Sequence, residues 1–402
     1  MGGFFEGGLR PLVSSVLMRE NPLYVQYYVT ARCNLRCQQC NVIYANADQE
    51  EATTSQARAI AENLAAIGTS IVLLTGGEPF IRQDLVEIAE GFMINGVHPR
   101  LQTNGLASFE DLDRMAAIGA HDISISLDSL QPALQDAING GFEHSWEEAL
   151  AKVAHINATF PDDSFCAFGC VLAPSNLDEI VPLIHFATAI GWWVSLVPAH
   201  QSPPTEPRSF SSFDPTMVFH PDQYGRVADV LAEVRRLKQQ GCNLYDSDEY
   251  LDDIYRYVTR NPVRWRRRND DVCDSPNLYF AIQPNGEMAV CCDYRLGRSY
   301  PVYSPDFPTW YREREMWPEA RQVAAACSGC MYGSFPEISI SARYFRPMLQ
   351  RASLFLRGGP QRRLVRATAA ELSDLAATVR REHVRGDAIR DRRSTQRVGG
   401  PS

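Results

Sequence analysis

The stretch ARCNLRCQQC, Ala31 to Cys40, decides how this chain reads. It sets three thiols, Cys33, Cys37 and Cys40, with three and then two residues between them, directly after the apolar run LYVQYYV at 23–29. Three thiolates can hold three irons of a [4Fe–4S] cluster and leave the fourth iron open to a ligand that is not protein. Zinc is the alternative, but structural zinc sites take four protein ligands, and no fourth Cys or His stands close by.

Outward from that stretch, 402 residues are enough for two or three domains. With 45% hydrophobic and 22% charged residues, the chain can bury a sizeable core. A formal net charge of −9 argues against a nucleic-acid or anionic-membrane partner. Basic residues gather only between Arg362 and Arg397, where a solvated helix accounts for them. No apolar run reaches 18 residues, so no transmembrane helix is expected. The first residues lack the basic start and long apolar core of a secretion signal, and Glu6 stands where a myristoylation site needs Ser or Thr. The expectation is a cytoplasmic enzyme, whose clustered cysteines serve as metal ligands or catalytic groups rather than disulfides.

Between about 22 and 200, short apolar runs alternate with amphipathic stretches of helical length. The expected strands are 23–29, 70–75, 99–103, 122–127, 165–173 and 193–198. Between them lie helical patterns such as SQARAIAENLAAIG, LVEIAEGFMING, FEDLDRMAAIG and LDEIVPLIHFATAIG, several ending in Gly. Six strands with intervening helices predict an α/β fold, a parallel sheet curled into a partial (β/α)6 TIM-like barrel. In such sheets chemistry sits at the C-terminal strand ends. The boundaries expected are an N-terminal extension (1–21), the barrel (22–200), a linker or lid with helices (201–272), a small cysteine-bearing β-hairpin and helix domain (273–335), and a helical extension with a basic tail (336–402). QYGRVADVLAEVRRLKQQG reads as a helix, and disorder is expected from about Asp387. There is no internal repeat.

C-x3-C-x2-C after the first strand resembles the signature of the radical S-adenosylmethionine (SAM) superfamily. The resemblance covers roughly 22–200 and includes three further motifs at strand ends. TGGEP (Thr75, Gly76, Gly77, Glu78, Pro79) looks like the glycine-rich stretch that receives the SAM amino group, where glycines permit close backbone approach and Glu78 adds charge. QTNG brings Thr103 and Asn104, and SISLDS brings Ser124, Ser126 and Asp128, placed like the family's ribose and carboxylate contacts. One departure is Gln39, where an aromatic residue near the adenine is common. The resemblance implies SAM on the open iron, supply of an electron by an external donor such as flavodoxin or ferredoxin, and formation of a 5′-deoxyadenosyl radical that takes a hydrogen atom from the substrate.

A second set of thiols follows. Cys273 precedes Gly286 by twelve intervening residues, four more separate Gly286 from Cys291, and Cys327 and Cys330 form a distant CSGC. AIQPNGEMAVC reads as a hairpin around Pro-Asn-Gly. Four thiolates complete a [4Fe–4S] cluster with no open iron. The spacing resembles the twitch domain, the shortened form of the SPASM domain, because no cysteine follows Cys330. Cys292 competes with Cys291 as ligand, and a zinc ribbon is the alternative assignment. Cys166, Cys170 and Cys242 read as buried small hydrophobes.

A radical generator beside a fully ligated cluster suggests an oxidoreductase. The first strand begins near residue 23, which leaves no preceding recognition domain and tilts the expectation to a small-molecule substrate, a sugar or aminocyclitol in a biosynthetic pathway. A redox-neutral epimerase or C–C bond former and a peptide maturase are the alternatives; an iron–sulfur electron carrier is the non-enzyme one. His200, Asp293 and Tyr28 are the candidates for the substrate base.

Overall fold

The structure is a computed structural model that describes residue 15 and residues 21–40, 50–200, 215–266, 273–327, 329–356 and 364–398. Six parallel strands form the barrel: β1 (Tyr24–Thr30), β2 (Ile71–Gly76), β3 (His98–Thr103), β4 (Ile123–Ser126), β5 (Cys166–Leu172) and β6 (Trp193–Pro198). Each pairs with its sequence neighbour, as right-handed strand–helix–strand units require. The expected segments become strands with ends moved by at most one residue.

The connecting helices carry their own start and stop signals. Thr53 opens Thr54–Ala66 with a capping box, its hydroxyl oxygen accepting from Gln56 N–H while the Gln56 side chain returns to the Thr53 N–H. Ser108 caps Phe109–Ala117 in the same manner. Gly191 closes Ile180–Ile190 at φ 83°, a conformation that costs glycine nothing. Two helices between β4 and β5, Pro132–Ile138 and Ser145–Thr159, fill a stretch without an assigned element in the sequence reading.

The two faces of β1 build two cores, because successive side chains in a strand point to opposite sides. Val25, Tyr27 and Val29 join the large core under the surrounding helices, with Leu64, Leu74 and Phe92. Each buried Leu or Ile there stabilises by roughly 1.5–3 kcal/mol. Tyr24 and Tyr28 join a smaller core with Tyr279, Ala289, Cys292 and Phe335. That smaller core fills the barrel interior, where helix Ser334–Arg343 packs against the sheet.

The expected hairpin forms, as β7 (Tyr279–Ile282) and β8 (Met288–Ala289), antiparallel around Pro284, Asn285 and Gly286. It does not stand apart from the barrel. β7 pairs in parallel with β1, Tyr24 opposite Tyr279 through Tyr27 opposite Ile282, so one sheet of eight strands runs β6-β5-β4-β3-β2-β1-β7-β8. All four residues of β7 are buried, which explains its unbroken apolar YFAI. Of the stretch expected as a linker or lid, 201–272, residues 201–214 and 267–272 lie outside the described residues. The helix expected within it runs Tyr224–Gln239. At the C-terminus, helix Ala369–Val398 continues across the stretch where disorder is expected; its Ala, Glu and Arg residues favour helix. Leu372 and Ala376 bury it, and Arg380 Nε donates to Glu179 at 3.1 Å. Among the described residues no helix is long and apolar enough to cross a membrane.

Asp246 anchors the outer end of β6. Its carboxylate accepts from Ser195 Oγ at 2.9 Å and from Leu196 N–H at 2.7 Å, and it is fully buried near Glu337. Burial first, then the Glu337 charge, pushes its carboxyl up to about 7 from an ordinary 3.8. A carboxyl raised on folding keeps its proton in the folded chain and loses it in the unfolded one over that interval. Its stabilisation is therefore present at low pH and lost as pH rises through about 7. Unfolding free energy of the apo protein should fall between about pH 4 and 7, and Asp246→Asn should flatten that fall by at most roughly 4 kcal/mol, as about three pK units allow. Denaturant titrations at several pH values read it; an unchanged slope in the variant contradicts it.

Candidate active site

The cysteine loop leaves β1 and is clamped from three sides. Beneath it, Gly77 meets the loop so closely that a Cβ there would lie 2.2 Å from the Arg32 carbonyl oxygen. Gly77 N–H donates to Thr30 O at 3.0 Å and Glu78 N–H to Arg32 O at 2.8 Å. The second glycine thus serves the chain's own packing, a closer need than the ligand approach expected of it. Gly76 and Thr75 sit in the sheet opposite Thr30 and Tyr28. Pro79 opens a short 3-10 turn, Pro79–Ile81. On a second side, Gln38 N–H donates to Ile138 O at 2.9 Å. On the third, Asn104 Nδ2 donates to Asn34 Oδ1 at 2.7 Å.

Glu78 does not stand open to a ligand. One oxygen accepts from Thr103 Oγ1 at 2.9 Å and from Phe80 N–H at 3.2 Å, and the other from Asn104 N–H at 2.7 Å. Burial still lifts its carboxyl to about 7 against these three donors. It braces the end of β2 to the end of β3. Asp128 acts similarly beyond β4, accepting from Val171 N–H at 2.6 Å and from Gln39 Nε2 at 2.7 Å, with burial again lifting it to about 7. Gln39, the departure from the family pattern, therefore ties the cysteine loop to β5. Its own Oε1 is buried with no hydrogen-bond partner. Ser126 Oγ accepts from Gln102 at 3.1 Å, while Ser124 lies opposite Ala167.

Proximity to one another distinguishes these thiols from the other buried ones. Burial, then Cys40, Cys33 and Asp128, pushes the Cys37 thiol well above its usual value, and burial raises Cys33. Three soft sulfur donors lie together, with Asp128 acting on Cys37 and Glu78 on Cys33. Such a set fits a metal cluster, which binds thiolates and supplies positive charge. The orphan Gln39 acceptor beside Cys40 likewise fits a ligand carrying an N–H.

The second set comes together from three segments, with Cys273, Cys291 and the CSGC turn that carries Cys327 and Cys330. Burial raises Cys291, and Asp293, Cys292, Cys330 and Cys273 add to it; Cys330 feels Cys327 and Cys273, and Cys273 feels Cys327. Cys292 points elsewhere, its Sγ 3.6 Å from Gln26 Oε1 in the barrel interior, with neither Cys273 nor Cys330 among the causes raising it. That favours Cys291 as the fourth thiol. Trp265 Nε1 donates to Cys330 O at 3.0 Å and Arg266 Nη1 to Cys327 O at 2.6 Å, which hold the CSGC turn; nothing in the sequence marks these two as its supports. Cys166 and Cys170 are buried in the core and Cys242 packs against it.

The three candidate bases separate into a pair and one apart. His200 Nε2 lies 2.9 Å from Asp293 Oδ2, although 93 residues divide them. Sequence reading passes over the two tyrosines that complete this group. The Tyr257 hydroxyl is 2.8 Å from His200 Nδ1, and Tyr332 donates to Asp293 Oδ1 at 2.9 Å. Only the position of Tyr332 two residues past Cys330 hints at it. Tyr28 sits in the interior core with Cys292, its hydroxyl accepting from Gln26 Nε2 at 2.9 Å.

A partial parallel barrel with a three-thiol loop after its first strand and a four-thiol unit on its sheet edge defines a class of iron–sulfur enzyme. Residues 27–187 match the Radical SAM superfamily. That superfamily uses SAM and a [4Fe–4S] cluster. The chain is 30% identical to AdoMet-dependent heme synthase of Methanosarcina barkeri over 44% of its length, and spans about half, 50%, of that relative. It is 23% identical to mycofactocin maturase MftC of Mycolicibacterium smegmatis over 77% of this chain and 75% of the relative. It is 34% identical to PqqA peptide cyclase of Xanthomonas campestris over 34% of this chain and 37% of the relative. In fold it resembles Streptococcus suis SuiB, with TM-score 0.58, 15% identity and coverage of 79% of this chain and 72% of that one.

Replacing Cys291 with Ala should remove the iron of the auxiliary site, about four atoms per chain. Replacing Cys292 with Ala should leave it in place. Iron and sulfide analysis after anaerobic reconstitution decides between them, and the reverse pattern would make Cys292 the ligand.

Proposed function

We propose that this chain is a radical SAM enzyme that modifies a peptide, with one cluster on Cys33, Cys37 and Cys40 and an auxiliary cluster on Cys273, Cys291, Cys327 and Cys330. One observation carries the peptide reading. The match to MftC covers 77% of the chain, and a match that long necessarily includes Cys273 and Cys291 as well as barrel; the heme synthase match covers 44%. PqqA peptide cyclase supports the same class. None of the relatives named above carries a sugar in its name, which moves the reading from the sugar or aminocyclitol expected from the sequence to a peptide.

When bound, the SAM-ligated cluster supplies a 5′-deoxyadenosyl radical that removes a hydrogen atom from the substrate, and the auxiliary cluster offers an electron acceptor for net oxidation. The chain's own residues arrange and enclose these groups. Thr75 to Glu78 line the end of β2 beside the cysteine loop, and Glu78 keeps Thr103 and Asn104 of β3 in register with it. Asp128 keeps Gln39 turned so that its carbonyl oxygen is the free end. Ser124 and Ser126 offer hydroxyls on β4. His200 and Asp293 form the pair able to take a substrate proton, and Tyr28 is a separate hydroxyl on the interior face of β1.

Anaerobically reconstituted protein given SAM and dithionite should form 5′-deoxyadenosine, and Cys37→Ala should reduce that to background. A peptide fraction extracted from producing cells should stimulate its formation and yield a peptide changed in mass, by loss of two hydrogens if the outcome is oxidative. Stimulation by an aminocyclitol or sugar fraction alone would overturn the peptide reading.

A further inference from the structure

Four buried or half-buried side chains from four separate segments form one continuous chain of hydrogen bonds between the barrel and the auxiliary thiols. Tyr257 stands in the last turn of helix Asp248–Val258, His200 two residues past β6, Asp293 two residues past Cys291, and Tyr332 two residues past Cys330. Tyr257 Oη is 2.8 Å from His200 Nδ1, His200 Nε2 is 2.9 Å from Asp293 Oδ2, and Tyr332 Oη is 2.9 Å from Asp293 Oδ1. The His200 ring also packs on both tyrosines, with centroids 4.2 Å from Tyr332 and 5.8 Å from Tyr257. His200 is 5% exposed and Asp293 3%, so water does not compete for these bonds.

The donors and acceptors can be assigned. A carboxylate only accepts, so a neutral His200 must present Nε2–H to Asp293 and leave Nδ1 as an acceptor. The Tyr257 hydroxyl then donates to Nδ1, which selects that tautomer. Tyr332 donates to the other oxygen, so each carboxylate oxygen has its own donor. Asp293 stands two residues past Cys291; its charge is the largest cause after burial acting on Cys291, and it acts on Cys330 as well. A negative charge fixed beside an iron–sulfur cluster opposes the extra electron and lowers its reduction potential, strongly so in a medium of low dielectric.

We propose that Tyr257, His200 and Tyr332 are positioning residues that hold the Asp293 carboxylate against the auxiliary thiols, so that the reduction potential of the auxiliary cluster is set in part from the barrel. This rests on the auxiliary-cluster assignment above. The effect of Tyr257 passes through His200 and Asp293. Loss of the Tyr257 hydroxyl frees His200 to take the other tautomer, withdraws the N–H from Asp293, and lets the carboxylate turn from the thiols.

The test is the midpoint potential of the auxiliary cluster, read by EPR-monitored redox titration of the reconstituted full chain with Cys33, Cys37 and Cys40 replaced by Ala so that one signal remains. Asp293→Asn should raise the potential. Tyr257→Phe should raise it by less, and should add nothing in an Asp293→Asn background, because the two act in series. Tyr332→Phe, which removes a different donor from the same carboxylate, should also raise it and stands in if Tyr257→Phe fails to fold. An unchanged potential in the single Phe variants, or shifts that add to that of Asp293→Asn, would overturn the proposal. A starting protein that binds no auxiliary iron would instead overturn the assignment on which it rests.

Discussion

The gathering of thiols beside other thiols and carboxyls is the constraint on which the rest of the structure depends. Burial raises the thiols of Cys33, Cys37, Cys273, Cys291 and Cys330, and in most of them neighbouring thiols or carboxyls raise them further. A fold that only needed small apolar residues would place cysteines as it does Cys166, between strand and helix in the main core. These five instead fall into two groups, in which Cys37, Cys273, Cys291 and Cys330 are each made harder to ionise by a neighbouring thiol. Metal binding reverses that cost, since the cluster takes the thiolate form and couples folding to its own charge.

Both groups hang from β1. The three-thiol loop leaves its C-terminal end, and β7, which leads into the hairpin bearing Cys291, pairs along its side. The interior face of the same strand supplies Tyr24, Tyr28 and Gln26, the last two contacting Cys292 or its neighbourhood. One strand therefore sets the separation of the two centres. Movement of the hairpin relative to the barrel would break a parallel ladder of four residue pairs, which makes the auxiliary unit a rigid extension of the sheet.

The barrel was legible because its signals are local. Apolar runs of strand length, capping residues such as Thr53 and Ser108, and the glycine at 191 act within a few residues of where they stand. The cysteine groupings were legible because the soft donors are rare and their spacing is short. What escaped was long-range. Nothing in YFAI indicates that β7 will lie beside β1 rather than fold into a separate unit. Glu78 reads as a charge offered to a ligand, and only the fold shows that both its oxygens are taken by β3 and the Phe80 N–H. His200 and Asp293 were each visible as candidates, but their pairing, and the tyrosines at 257 and 332, depend on four segments meeting. The substrate was not legible for a different reason: the short stretch before β1, on which the small-molecule expectation rested, does not report what enters the barrel.

Iron content tests the presence of two independent clusters most directly. Anaerobically reconstituted protein should hold about 8 irons, and a variant with Cys33, Cys37 and Cys40 replaced by Ala about 4, at four irons per cubane. A variant that retains almost no iron while remaining folded would contradict an auxiliary cluster on Cys273, Cys291, Cys327 and Cys330.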